Sequence, residues 1–201
     1  VQEYLMTHSF TDDEHYDHIV EFFDIENLID YYATEIFFNN RDWPKKNYKY
    51  WRVSDPPGKF RFMLHDVDAG WGFKDPALDM LEHASTMLSE MSANPPYANR
   101  LFNKLLQNQG FQNSFLNRLA CLMVNEFRQE NLLWAVNSMV SEYEPAIDEH
   151  WNRWFQSNVS AWNDSIDGAL RDFAATRHDH VIEHVENAFG IDFNPEHRCE
   201  Y

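Results

Sequence analysis

The chain has 201 residues, 44% hydrophobic and 16% aromatic, which supports a sizeable core in one domain and excludes a disordered tail. Sixteen basic residues against 33 acidic ones give a net charge of −17, so the surface repels phosphate backbones and anionic lipid and disfavours nucleic-acid and membrane-surface binding. No apolar run approaches the ~20 residues of a membrane span.

The chain opens at Val1 without a basic segment leading into an apolar stretch, as expected of a processed protein or an excised piece of a longer one. Thr11 before Asp12-Asp13-Glu14 reads as the N-cap of a helix over residues 11–22. A second helix opens near Asp24, with Ile25, Leu28, Ile29, Tyr32, Ile36 and Phe37 on one apolar stripe, and is stopped by Asn39-Asn40-Arg41-Asp42-Trp43-Pro44. Residues 48–53 and 60–67 alternate as strands, and Asp55-Pro56-Pro57-Gly58 supplies turn chemistry between them. Residues 69–96 are irregular around one helix near 77–90. Helices are expected over 97–109, 111–128 and 130–154, then two shorter ones between 160 and 189 that end at Gly190. The predicted fold is mainly α with a small β-hairpin. It divides into a loop-and-hairpin segment, 39–72, and a helical subdomain, 97–190, within one unit over 1–201.

Polar residues flank the hairpin. Asp66 and Asp68 lie two apart and share a strand face, and a hairpin returns the chain beside the loop that enters it. Asp42, Asn47, Asp66 and Asp68 can thus meet in one oxygen-rich pocket, whose ligands suit Mg²⁺ or Mn²⁺ better than zinc. The spacing is similar to that of protein kinases, which place an Asp, an Asn five residues later, a hairpin and then a metal-binding Asp.

The run Asp24-Ile25-Glu26-Asn27-Leu28-Ile29-Asp30-Tyr31-Tyr32, then Asn40-Arg41-Asp42-Trp43-Pro44 with Asn47, then His65-Asp66-Val67-Asp68-Ala69-Gly70, resembles the spore-coat protein H (CotH) kinase-like family. Phe115-Leu116-Asn117-Arg118 and Leu170-Arg171-Asp172-Phe173-Ala174 with Arg177 are similar to that family's C-terminal region. The resemblance implies the C-terminal lobe of an atypical protein-kinase-like fold, with ATP and Mg²⁺ (or Mn²⁺) as cofactors and Ser/Thr residues of secreted or coat proteins as substrate. It implies a location outside the cell, at its surface or in a coat. Asp42 matches the catalytic-loop aspartate. Asn47 and Asp66 match the metal- and nucleotide-binding pair, and Asp68 is a further metal ligand that competes with Asp66 as the principal one. Arg41 and Lys45 or Lys46 are secondary candidates for neutralising phosphate charge.

The departures carry information too. A kinase needs a lysine on the nucleotide phosphates, a glutamate holding it and a glycine-rich covering loop, all before the catalytic loop. Here the first lysine is Lys45 and the first glycine Gly58, so the N-terminal lobe is expected to be absent from this chain and the chain to bind ATP weakly or not at all.

Each feature also has a plainer reading. Asp42 and Asn47 alone are a polar turn, and Asp66 with Asp68 a solvated strand end. Trp43 and Trp71 are expected to pack, pinning the two loops, and the aromatic stripes of the later helices to form core. His180-Val181-Ile182-Glu183-His184 fits an inverted zinc-peptidase pattern, but it lies in a charged amphipathic helix with only 17 residues after His184, and zinc catalysis is set aside. Asn158-Val159-Ser160 and Asn163-Asp164-Ser165 are formal glycosylation sequons. Cys121 and Cys199 make neither a disulfide framework nor a zinc knuckle, and they leave the redox compartment open. The alternative function is a non-catalytic surface or coat interaction module on a kinase-like scaffold.

Overall fold

A short helix, α1 (Gln2–Thr7), precedes the first expected one; its Leu5 is buried, and the Tyr4 hydroxyl bonds His15 Nδ1 at 2.7 Å. The computed structural model describes residues 2–73, 75–85, 97–154 and 159–199. Helix α2 (Asp13–Val20) starts at Asp12 rather than Thr11, because the Asp12 carboxylate accepts from the Glu14 amide. The Asp24 carboxylate likewise caps α3 (Ile25–Phe37) by accepting from the Asn27 amide at 3.1 Å. The expected stripe of α3 is its buried face, and it also draws in Tyr31 and Glu35.

The hairpin is an antiparallel pair, β1 (Lys49–Trp51) and β2 (Arg61–Met63), in register Lys49↔Met63, Tyr50↔Phe62 and Trp51↔Arg61. Both strands are shorter than the sequence pattern suggests. A two-stranded ribbon has no third strand to extend its ladder, and Phe62 is its one buried position.

Asp79 rather than Ala77 opens α4 (Met80–Ser85) by accepting from the Glu82 amide, and the rest of the expected helix lies outside the described residues. Helix α5 (Tyr97–Leu105) stops four residues early. The Asn108 side chain then caps the Phe111 amide and starts α6 (Gln109–Val124) before Gly110, which sits in the first turn instead of breaking the chain. Helix α7 (Gln129–Trp154) continues through Pro145. In place of two separate helices, α8 (Val159–Ser165) runs through a π-helical turn, Ile166–Arg171, into α9 (Asp172–Phe189), which ends at Gly190 with φ 63°. Asn194 caps a last helix, α10 (Pro195–Arg198), that the sequence does not announce. Of the two sequons, the one starting at Asn158 lies partly outside the described residues; Asn163 is exposed on α8.

The core forms where α3 meets α6 and β2, α4 meets α5 and α9, and α9 meets α7. Tyr32 stacks on Phe102 at 4.4 Å and donates its hydroxyl to the Ala98 carbonyl at 2.7 Å, joining α3 to α5. Phe102, Phe111, Phe115 and Phe173 are fully buried as expected. Helix α7 departs from that expectation, since Trp134, Tyr143 and Trp154 are exposed. Cys121 and Cys199 are joined as a disulfide across 78 positions and tie α6 to the segment after α10. Counting cysteines leaves this pairing open because only the packing of α10 on α6 brings them together. Among the described residues no helix is long and apolar enough to cross a membrane.

Candidate functional site

Two ends of α3 hold the polar loops in place. At its N-terminal end the Asn27 side chain clamps β2, accepting from Phe62 N at 2.7 Å and donating to Phe62 O at 3.2 Å. Asp24 adds an ion pair with Arg61 at 3.1 Å, and its amide donates to the Phe60 carbonyl. One turn on, Asp30 pairs with Arg118 of α6 at 2.6 Å. The acidic and amide positions of the Asp24–Asp30 run thus seat the hairpin and α6 against α3.

At the C-terminal end the fully buried Arg177 of α9 donates to the carbonyls of Phe37 and Ile36 at 2.7 Å each. The same guanidinium bonds Pro76 O at 3.0 Å and Leu78 O at 3.3 Å. A cation on the last carbonyls of a helix completes groups that have no partner within the helix and suits the negative end of its dipole. Burial lowers the Arg177 pKa to about 10, opposed by Asp79 and Asp75, so the group is charged at neutral pH. Arg177 therefore sets where α3 stops and the loop carrying Asp42 begins.

Among the described residues four hydrogen bonds join the loop before the hairpin to the stretch after it, one of them from Asn39 Nδ2 to Asp75 O at 2.8 Å. Trp71 N donates to Phe38 O at 2.7 Å and Arg41 N to Ala69 O at 3.2 Å. Asn47 Nδ2 reaches Asp66 O at 3.4 Å. The expected meeting of the two loops is what the chain adopts, and Asn47 and Asp66 are in direct contact. Asp42, Asp66 and Asp68 are exposed, Asn47 is half-buried, and Arg41, Lys45 and Lys46 lie exposed along the same loop. Among the described residues no hydrogen bond links the Asp42 carboxylate to the other three side chains.

The backbone is unusual at this place. Asn39, Asn47, Asp66 and Trp71, with φ between 55° and 57°, are the non-glycine residues in the left-handed region among those described, and all lie in the two loops. Asn and Asp tolerate that conformation, whereas an indole-bearing residue there is strained by about 1–3 kcal/mol and must be held by its surroundings. Trp71 is held by packing on Phe38 and Phe173, at 5.2 and 5.5 Å between ring centroids. Gly72 follows at φ 68°, where an added Cβ would lie 2.8 Å from Phe173 Cδ2 and 2.9 Å from Pro76. Trp43 is fully buried against Tyr32, so both tryptophans pin the loops as expected.

Beneath the Asp42 loop lies a buried polar group of residues that sequence reasoning passes over. Glu35 and Asn40 are each 1% exposed, and Glu35 Oε2 accepts from Asn40 Nδ2 at 2.9 Å. Burial pushes the Glu35 carboxyl up to about 7, although the Asn40 amide and the nearby Tyr31 hydroxyl pull it down. His83 of α4 is lowered by burial and then by the charge of Arg41, which places α4 beside the same loop. Asn27, Glu35, Asn40 and Arg177 are positioning residues. The available signal for them is a polar side chain on an otherwise apolar helical stripe, which the sequence shows at Glu35.

His184 is buried on α9 with Nδ1 3.7 Å from Asp79 Oδ1, and burial lowers its pKa against the opposing charge of Asp79. Among the described residues no three His, Cys, Asp or Glu side chains gather as a metal-holding group. The donors at the two loops are of a different make-up, two carboxylates and one amide.

A family model described as CotH kinase protein matches residues 2–181. Comparison with curated proteins finds no match. Comparison with solved structures finds none either.

Proposed function

The chain belongs to the CotH kinase protein family, and on that premise we propose that it is the metal-binding, C-terminal lobe of an atypical Ser/Thr protein kinase. The observation that carries the reading is the stitching of the two loops, with Asn47 hydrogen-bonded to Asp66 and both residues in the left-handed region. A left-handed backbone at both residues turns the chain sharply at the point where the two loops touch, which supports a fixed arrangement of their side chains.

The donor chemistry fits the cofactors of the family. Asn47, Asp66 and Asp68 offer hard oxygen ligands of the kind that Mg²⁺ or Mn²⁺ takes, and they would hold the ion. When bound, that ion supplies charge neutralisation for the phosphates of ATP. Asp42 is exposed on the loop that also carries Asn47, and in this reading its carboxylate accepts the proton of a substrate Ser or Thr hydroxyl and orients the oxygen for attack. Arg41, Lys45 and Lys46 place positive charge on a loop of an otherwise acidic molecule, which favours approach of an anionic nucleotide. The Cys121–Cys199 disulfide suits an oxidising compartment and supports secreted or coat-protein substrates.

A second reading is favoured by the exposed Trp134, Met139 and Tyr143 on α7, which present apolar surface to solvent. In that reading the fold is a non-catalytic surface or coat interaction module. Titrating the full-length protein with ATP at several Mg²⁺ and Mn²⁺ concentrations, beside its Asp66→Ala variant, separates the two. Metal-dependent binding that is lost in the variant is the expected result. Binding in neither protein leaves the interaction module.

A further inference from the structure

Helix α7 carries an apolar stripe that its neighbours cover only in part. Val136, Met139, Tyr143 and Ile147 recur at the three- and four-residue spacing of one helix face. Val136 and Ile147 are buried, whereas Met139 is 62% and Tyr143 59% exposed. The facing wall comes from Trp162 of α8 and from Ile166 and Leu170 of the π-helical turn, again four residues apart. Between the walls lies a cavity of about 610 Å³ with an almost wholly apolar lining. The lining follows α7 from Ala135 to Trp151, about 24 Å at roughly 1.5 Å per residue. A space of this length and volume is narrow, and it takes a row of side chains sooner than one compact molecule.

Two helices with apolar ridges at this spacing accept the side chains of a third helix in the hollow between them. The charge around the hollow has one sign. Glu142, Glu144, Asp148 and Glu149 alternate with the lining residues of α7, and Asp164 follows Trp162 on α8; all five are exposed. The basic residues nearby are engaged: Arg171 by Asp167 and Asn137, and Arg153 over the Trp154 ring. A basic segment is therefore attracted here and an acidic one repelled. Met139 beside Tyr143 adapts to apolar side chains of different shape, and π-helical turns are rare and frequent at functional sites. The groove is also continuous with the loops, because Trp71, three residues after Asp68, lines it while packing on Phe38 and Phe173.

We infer that this groove is the docking site for a basic amphipathic helix of a partner protein. The helix lays its apolar stripe between α7 and the π-helical turn, its Lys and Arg residues meet the acidic flanks, and its end beside Trp71 touches the segment that carries Asp66 and Asp68. The inference goes beyond phosphotransfer and rests on neither reading of the loops, since the helical walls are the same in both.

The probe is a synthetic helical peptide of about 16 residues, with Leu at i, i+3, i+4 and i+7 and Lys elsewhere. A second peptide exchanges Lys for Glu and keeps the stripe; a third keeps the composition in scrambled order. Calorimetry and tryptophan fluorescence follow their binding to the 201-residue chain. The Lys peptide is expected to bind saturably, and the Glu and scrambled peptides about tenfold more weakly or worse. Met139→Gln and Tyr143→Asn, neutral changes at exposed positions, should each weaken the Lys peptide about tenfold. Trp134→Gln should leave it unchanged, because Trp134 is 71% exposed on α7 yet lies outside the groove. Circular dichroism checks that all three variants fold, and the three-peptide comparison on the wild type decides without them. No saturable binding, equal binding of the Lys and scrambled peptides, or binding indifferent to Met139 and Tyr143 overturns the inference. Self-association of the chain that disappears in those two variants would assign the groove to a second copy, and uptake of the neutral dye Nile red without peptide binding would assign it to a small apolar ligand; either result overturns it. Loss of metal-dependent ATP binding in the full-length protein bears on the phosphotransfer reading alone.

Discussion

Asp42 and Glu35 lie on opposite sides of one turn and are expected to respond to substitution in opposite ways. Asp42 is exposed, so Asp42→Ala should leave the fold intact while reducing phosphotransfer by the full-length protein about 10²–10⁴-fold. Circular dichroism beside a phosphotransfer assay checks both halves. Glu35 is buried, and its folded pKa near 7 lies above the ordinary carboxyl value. The native state therefore binds the extra proton between about pH 4.5 and 7, and the stability this group contributes is full below that window and lost as pH rises through it. The loss amounts to about 3 kcal/mol by linkage. Urea denaturation at pH 5 and pH 8 should show it in the wild type and not in Glu35→Gln; equal slopes in both would remove it. The sequence makes Asp42 visible through its spacing to Asn47, whereas Glu35 appears there only as one polar residue on an apolar stripe.

Among the elements, α9 and α10 matter most beyond the site itself. Arg177 joins α9 to the end of α3 and to the 76–78 stretch through four carbonyl contacts. Arg177→Leu strands those carbonyls and should cost about 3–5 kcal/mol, with Arg177→Lys recovering only part because an ammonium lacks the planar fork. Chemical denaturation of both variants measures this, and a loss below about 1 kcal/mol would mean that water replaces the guanidinium. The disulfide holds α10 against α6, and closing a loop of this length typically stabilises by about 2–4 kcal/mol. Reduction should lower the melting temperature by roughly 5–15 °C. An unchanged melting curve after thiols are shown to be free would assign the docking of α10 to Phe193 and the other buried contacts alone. Helix positions are legible from apolar period, as for α3. Their ends are less so, because a side-chain cap such as Asn108 or Asp79 competes with the pattern and moves the start by a few residues.

The molecule as a whole is acidic, and its basic loop residues Arg41, Lys45 and Lys46 are a local exception. A net charge of −17 opposes approach of a nucleotide unless a divalent cation accompanies it. The chain lacks any lysine or glycine ahead of Lys45 and Gly58, so isothermal calorimetry on these 201 residues should find weak or no ATP binding even with Mg²⁺. Tight, metal-dependent binding would show that this chain grips the phosphates without a preceding lysine.

The sequence by itself determined the class of the fold, the hairpin, the start of α3 near Asp24 and the meeting of the Asn47 and Asp66 loops. These follow from period, turn chemistry and the return of the chain across a hairpin, all of which act between residues close in sequence. Tertiary structure alone decided the Cys121–Cys199 pair, the Arg177 clamp on α3, the burial of Glu35 under Asn40 and the exposed aromatics of α7. Each joins or separates surfaces by the packing of whole helices, and a buried charge or a disulfide takes its meaning from neighbours that no local pattern specifies.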